Sequence, residues 1–499
     1  MMADGPTTTL DPEDWGELRA LGHSILDDMF DHLEHIRSRP VWQEMPAAAR
    51  EQLRQPMPAG PGNLVDAYRT LQQSIIPYTV GNPHPGFMGW VHGGGTPVGM
   101  IAEMIAGALN ANVGGRNQAP VEVEKQVAGW MAQLFGFPEE ARGIFVTGTS
   151  IANFMGVLVA RTALLGRAVR TGGIAPEAGR LRAYTSREAH GCIAKAMDMA
   201  GLGTDALRQV AVDSRSRLDL ADLRAQVDAD RRAGLRPFLV VATAGTVNTG
   251  AIDPLDAMAD FAAQESLWLH VDGAYAALGM LAPDVAPLLA GVNRADSIAF
   301  DFHKWGQVPY DAGYFLARDG SRMLDAFAAP AAYLQRAERG LAAGDAWPCD
   351  LGPDLSRGFR ALKTWLTFQV HGADAIGHAI SATCALARRL AARVESEPEL
   401  ELMAPVTLNI VCFRYLCADA EKVNREIVLA LYDAGKVAPS STTLQGRFAI
   451  RAAIVNHRTT EADIDALAAS VLEAGRRLST DLSNPSTGSP APHDRSNPH

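Results

Sequence analysis

Disulfide pairs, an excess of basic residues and long apolar runs are all missing from this 499-residue chain. Its five cysteines (Cys192, Cys349, Cys384, Cys412 and Cys417) are odd in number, scattered and without a CxxC pair. That argues against a disulfide framework or a cysteine zinc site and fits the reduced thiols of a cytoplasmic protein. A formal net charge of −11 argues against a protein that draws its affinity from neutralising nucleic-acid phosphates. The amino terminus, MMADGPTTTLDPEDWGEL, carries acids where a signal peptide needs a basic and then an apolar run. No stretch of about 18 uninterrupted apolar residues follows, so no membrane association is expected. There is no internal repeat.

What is present is ordinary for a globular enzyme: 47% apolar and 20% charged residues, in a chain long enough for two or more units around a large core. Between Asp11 and Arg39, Leu18, Leu21, Ile25, Met29, Leu33 and Ile36 recur at helical spacing and predict an amphipathic helix that must cover something else. His32 and His35 on that helix read as solvent-facing side chains, and no metal is expected. From about Arg142 to Arg318, seven short apolar runs (GIFVTG, LRAYTS, LRQVAV, FLVVAT, SLWLHVD, DSIAFD, AGYFLA) alternate with helical stretches. This predicts an α/β domain with a mostly parallel seven-stranded sheet, whose ligands gather at the carboxyl ends of the strands. Alternation restarts on a smaller scale after the helical stretch from Ser356, predicting a separate α+β unit. The expected division is a helical segment 1–85, a large α/β domain 86–370, a small α+β domain 371–480 and a disordered tail 481–499 rich in Ser, Pro and Asn.

Only six of the forty-five Lys and Arg residues are lysines, so each lysine raises the question of whether an amine was needed. Lys304, in FDFHKWGQ, leaves a strand at the mouth of the sheet beside His303. An amine there can attack a carbonyl to make a Schiff base, which a guanidinium cannot. A surface lysine at a strand exit is the alternative. Asp272, at the end of SLWLHVD, is a carboxylate in an apolar wall that demands a cation or a proton donor unless it caps the next helix. In TGTSIANF a strand runs through glycine and hydroxyls straight into a helix, so Thr149, Ser150 and backbone N–H groups converge on one anion, or simply cap the helix. His190 after LRAYTS and Thr246 after FLVVAT sit at two further strand ends. Together these make a phosphate cup, a ring-stacking imidazole, a carboxylate for a ring nitrogen and a Schiff-base lysine, the requirements of pyridoxal 5'-phosphate.

At this point the chain resembles the pyridoxal-phosphate-dependent group II amino-acid decarboxylases, including aromatic-L-amino-acid and histidine decarboxylases. The likeness runs from NPHPGFMGWVHGGGTP through VTGTSIAN, REAHGCIAKAM, GTVNTGAIDPL, WLHVDGAYAA, FDFHKW and LSRGFRALKTW to RFAIRAAIVNHRTTEADI. It implies a fold type I enzyme in which Lys304 carries the cofactor, Asp272 pairs with the pyridine nitrogen and His190 stacks on the ring. It also implies that Thr149, Ser150 and His303 bind the phosphate, with Thr246 and Ala274 lining the site. Tyr333, in PAAYLQRAERG, stands at the family's spacing for the loop tyrosine that reprotonates the substrate carbon, where related aldehyde synthases have Phe. A homodimer with active sites at the interface is implied, the amino-terminal segment packing on the partner.

The implied reaction is decarboxylation of an L-amino acid, aromatic and tyrosine-, DOPA- or phenylalanine-like, to the amine and carbon dioxide. Oxidative conversion to an aldehyde, or decarboxylation of a polar or acidic amino acid, is the alternative. Phe87 is expected as a pocket wall, and Gly86, where several relatives carry a bulky aromatic, as a site of extra room or of a different pocket floor. Ser356 resembles the residue at the phenol- or imidazole-selecting position of relatives. Asn110, Asn112 and Arg116 replace apolar residues of the animal enzymes, and Arg451 is either structural or close to the carboxylate.

Overall fold

A computed structural model describes residues 9–177, 179–329, 337–344 and 346–483. The strands, in chain order, are β1 (Phe87–Met88), β2 (Arg142–Val146), β3 (Leu181–Ser186), β4 (Leu207–Val210), β5 (Arg236–Thr243), β6 (Trp268–Asp272), β7 (Ser297–Asp301), β8 (Gly313–Ala317), β9 (Leu400–Leu402), β10 (Ile410–Tyr415), β11 (Ala438–Leu444) and β12 (Arg447–Ala453). The seven runs expected as strands form one sheet in the order β2-β8-β7-β6-β5-β3-β4. Only β8 runs against its neighbours; the pairs from β7 through β4 are parallel.

The continuous apolar character of these strands follows from burial on both faces. Along β7, Ile298 and Phe300 enter one core with Met258 and Phe261 of the helix Leu255–Glu265. Ala299 between them enters the opposite core with Ala152, Met155 and Val159 of the helix Thr149–Leu165. This two-residue period fixes which side chains reach the ends of the sheet. The carboxyl ends of β3, β5, β6 and β7, with the exit of β2, therefore bring residues 190, 246, 272, 301–304 and 149 to one edge.

The second sheet has the order β1-β11-β12-β10-β9. Phe87 and Met88 lie just inside the expected large domain, yet they pair in parallel with Ala438 and Pro439 of β11 in the carboxyl-terminal sheet. The long helix Arg360–Ser396 is interrupted at Gly372, where φ is +75°. The last helix runs from Glu461 to Ser483, three residues into the expected tail; residues 484–499 lie outside the described residues.

The expected amino-terminal helix spans Trp15–Glu34, started by the Asp14 carboxylate accepting the Gly16 and Glu17 N–H groups. None of its residues is buried. GLGTDA, which mimics a dinucleotide-binding loop, is a helix stop: Gly201 and Gly203 take positive φ just after the helix Cys192–Met199.

Candidate active site

The end of β7 and the start of the helix Thr149–Leu165 share one carboxylate. Asp301 Oδ1 accepts the Thr149 N–H at 2.7 Å, and Oδ2 lies 2.8 Å from Lys304 Nζ and 3.6 Å from His303 Nε2. Burial raises the Asp301 pKa, but the Lys304 charge and the bonds from Lys304 and Thr149 outweigh it and hold the carboxyl below its usual range. Gly148 can serve as the floor of this cup because a side chain on Gly313 would lie 2.3 Å from its Cα. The His303 ring is pushed down to about 4 by burial. Its Nδ1 accepts the Ala312 N–H at 3.0 Å, so the neutral ring keeps its hydrogen on Nε2.

Asp272 is 2% exposed at the end of β6, and burial raises its carboxyl pKa, with the nearby Lys304 charge opposing. Its Oδ1 accepts the Ala274 N–H at 3.1 Å, and the Ala274 carbonyl accepts the Asp301 N–H at 2.9 Å. Ala274 thus ties the two carboxylates together. Beneath Asp272 runs a buried chain of polar groups. Trp268 Nε1–H donates to Ser297 Oγ (2.9 Å), whose hydroxyl meets His270 Nδ1 (2.8 Å). His270 Nε2 meets Asn153 Oδ1 (2.8 Å), the Asn153 amide donates to Cys192 Sγ (3.2 Å), and that sulfur lies 3.9 Å from Asp272 Oδ2. Since Asn153 Oδ1 only accepts, His270 carries its hydrogen on Nε2, and burial keeps the ring neutral with a pKa near about 3. Sequence reasoning missed Asn153, Cys192, His270 and Asp301. The available signals were His270 two residues before Asp272 on the same strand face, and Asp301 three before Lys304.

The other expected residues fall into groups. His190 is exposed at the same edge, its Nδ1 accepting the Cys192 N–H at 3.2 Å. Thr246 is fully buried, and its hydroxyl accepts the Ala251 N–H and meets Thr249 Oγ1, holding the turn after β5. Ser150 is exposed in the first helical turn beside Thr149. Phe87 is buried and stacks on His92, with ring centroids 5.8 Å apart.

Gly86 does not leave extra room: a side chain there would lie 2.3 Å from the Lys436 carbonyl, so the glycine permits a close backbone crossing. The Asn112 amide is also committed, its Oδ1 accepting the Gly114 and Arg357 N–H groups. This ties it to the loop that carries the exposed Ser356. Arg116 stacks on Trp347 at 4.8 Å, and Asn110 ends the helix Pro97–Leu109 in the left-handed region. Arg451 is a brace, donating to the carbonyls of Val247 and Gly89 and to Ser440 Oγ, while its buried Nη2 has no partner. Tyr333 lies outside the described residues.

These residues fit pyridoxal 5'-phosphate on the donor set alone. The Thr149 hydroxyl is buried at a helix start and has no hydrogen-bond partner among the described residues, as an anion seat requires. Lys304 supplies the amine, and Asp272 is a buried carboxylate with no cation in direct contact. Residues 46–416 match the pyridoxal-dependent decarboxylase conserved domain. The chain belongs to this decarboxylase family.

It is 31% identical over 455 residues to an aromatic-L-amino-acid decarboxylase of Bacillus atrophaeus, covering 89% of this chain and 92% of that one. It is 28% identical to the phenylacetaldehyde synthase of Arabidopsis thaliana, covering 91% and 94%. Among solved structures, Oryza sativa TDC with PLP and tryptamine superimposes with a TM-score of 0.85 at 26% identity, over 94% of this chain and 100% of that one. The pyridoxal-dependent decarboxylase is thus a fold type I enzyme that takes pyridoxal phosphate and decarboxylates an amino acid.

Proposed function

We propose that the enzyme decarboxylates an aromatic L-amino acid of the tyrosine, DOPA or phenylalanine kind to its amine and carbon dioxide. The observation that carries this reading is a run of rings beside the lysine. Phe87 stacks on His92, His92 meets Tyr310 edge-on at 5.7 Å, and Tyr310 lies 4.2 Å from His303, the neighbour of Lys304. Trp90 adds a ring 6.0 Å from His92. Such a wall favours a flat apolar side chain. Of the polar residues nearby, Asn112 has its Oδ1 engaged by backbone N–H groups and Arg116 lies over Trp347.

When bound, the cofactor ring accepts the electron pair released as carbon dioxide leaves. Lys304 would hold the cofactor through its amine, Asp272 would pair with the ring nitrogen, His190 would contact the ring, and Thr149, Ser150 and His303 would hold the phosphate. Thr246 and Ala274 shape the surrounding wall, and Tyr333 delivers a proton to the substrate α-carbon, which a Phe cannot do. The test is to assay the holoenzyme under air with the twenty L-amino acids for carbon dioxide, amine, aldehyde and peroxide. Amine from aromatic substrates supports the reading. Aldehyde with peroxide from the unaltered enzyme supports the oxidative alternative, and turnover restricted to acidic or small substrates overturns the aromatic assignment.

The enzyme works as a homodimer in this reading. A helix of twenty residues with no buried side chain, Trp15 and Phe30 exposed on it, and Trp90, Met104, Ile105 and Leu109 exposed elsewhere leave apolar surface that a second copy covers. Cys192, Cys384, Cys412 and Cys417 form no disulfide, which favours a cytoplasmic setting. No helix among the described residues is long and apolar enough to cross a membrane.

A further inference from the structure

His92 follows the loop turn at Trp90 and precedes Gly93, whose N–H donates to the His303 carbonyl at 3.0 Å, so residue 92 is pinned one residue from the backbone that carries Lys304. Its ring is clamped between Phe87 and Tyr310. Nδ1 lies 3.0 Å from Asn82 Oδ1, and because a carbonyl oxygen only accepts, Nδ1 carries the ring hydrogen. Asn82 itself is anchored, its backbone carbonyl accepting the Asn456 amide at 2.9 Å. Nε2 is therefore left with a lone pair and has no partner among the described residues. Burial, followed by the Lys304 charge, pushes the ring down to about 4, so the lone pair stays free at neutral pH.

The rest of this wall is the stacked rings of Phe87 and Trp90 and the edge-on ring of Tyr310, which brings the other hydroxyl. An acceptor held in fixed orientation among such rings suits a ligand whose aromatic ring ends in a donor. We propose that His92 is a specificity-determining residue, accepting a hydrogen bond at Nε2 from the ring hydroxyl of a phenolic L-amino acid, with Asn82 as its positioning residue. The proposal rests on the aromatic-substrate reading above and narrows it to tyrosine- and DOPA-like substrates over phenylalanine. A site built around a substrate hydroxyl discriminates more strongly against the analogue lacking it than an apolar slot does.

The experiment compares kcat/KM for tyrosine and phenylalanine in the wild-type holoenzyme, His92→Phe and Asn82→Ala, each first shown to hold cofactor by its visible absorbance. His92→Phe keeps a ring in the stack and removes only the acceptor. The tyrosine-to-phenylalanine ratio is expected to fall by about tenfold in His92→Phe, the scale of one lost neutral hydrogen bond, and by a smaller factor in Asn82→Ala. An unchanged ratio in both variants overturns the assignment of His92 while leaving the aromatic reading intact. A wild-type enzyme that turns over neither substrate overturns the aromatic reading and this proposal with it.

Discussion

Asp301 joins the two halves of the cofactor site: one oxygen takes the Thr149 N–H at the helix start, and the other lies 2.8 Å from the Lys304 amine. A carboxylate thereby occupies the donor that an incoming phosphate needs, and it stands next to the amine that must react. Like charges brought together at such a seat are costly. Asp301→Asn keeps an oxygen for the Thr149 N–H but removes the charge. Its half-saturating cofactor concentration is expected to fall by at least about tenfold, read by titrating cofactor-free protein and following absorbance. Weaker binding in this variant would show that the carboxylate's service to Lys304 outweighs its repulsion of phosphate.

Asp272 has no such conflict. Among the described residues it faces the Ala274 N–H and the Cys192 thiol, and its elevated pKa reflects a charge stranded by burial. Asp272→Asn is expected to retain borohydride-trappable cofactor but lose about a hundredfold or more in kcat, because a buried partner of the ring's positive nitrogen is gone. In the absence of cofactor the same variant should resist urea better at neutral pH, since it no longer carries a carboxyl whose charged form burial disfavours more than its neighbours favour it. Activity within a few fold of wild type would remove Asp272 from its role.

Acid stability follows from the buried imidazoles. Burial pushes His303 and His92 down to about 4 and His270 to about 3. An unfolded histidine titrates near about 6.5, so below that pH the unfolded chain binds protons that the folded chain refuses. The stability these groups contribute is fully present above about 6.5 and is lost as pH falls towards 4. Asp253, raised to about 6 by burial, acts in the opposite sense, its contribution being full below about 4 and lost as pH rises through 6. Asp272 has the same sign as Asp253 in cofactor-free protein. His457, also pushed down to about 4 by burial, adds to the histidine side. The urea midpoint of cofactor-free protein is expected to drop between pH 6.5 and 4.5; a flat or rising midpoint would contradict this balance.

Much of this was legible in the sequence, and the reasons are local. The seven strand runs could be read because both faces of β5 to β8 are buried, which makes them continuous apolar blocks bounded by turns. Lys304, Asp272 and Thr149 stood out because an amine, a carboxylate and a hydroxyl at strand ends contradict their apolar surroundings. Of the two expectations for Gly86, extra room fails, because a glycine in sequence cannot show whether space or a neighbouring carbonyl awaits its missing side chain. The chain from Trp268 to Cys192 was invisible for a related reason. Its members come from four separate elements, and only the packing of the helix Thr149–Leu165 across β6 and β7 brings Asn153 to His270.

The exposed apolar side chains at the end of the helix Pro97–Leu109 give a test of assembly. Ile105→Asp with Leu109→Asp places two charges on the surface that a second copy is expected to cover. Sedimentation should show a dimer for the wild type and a shift to monomer for the double variant, with loss of activity if the sites lie at the interface. A wild-type monomer with full activity would contradict the dimer.

The central claim is a covalent bond between Lys304 and the cofactor. Borohydride reduction of the holoenzyme followed by peptide mass analysis should place the pyridoxyl mass on the peptide containing Lys304, and Lys304→Ala should carry none. Label on another lysine, or undiminished label in Lys304→Ala, would contradict the account.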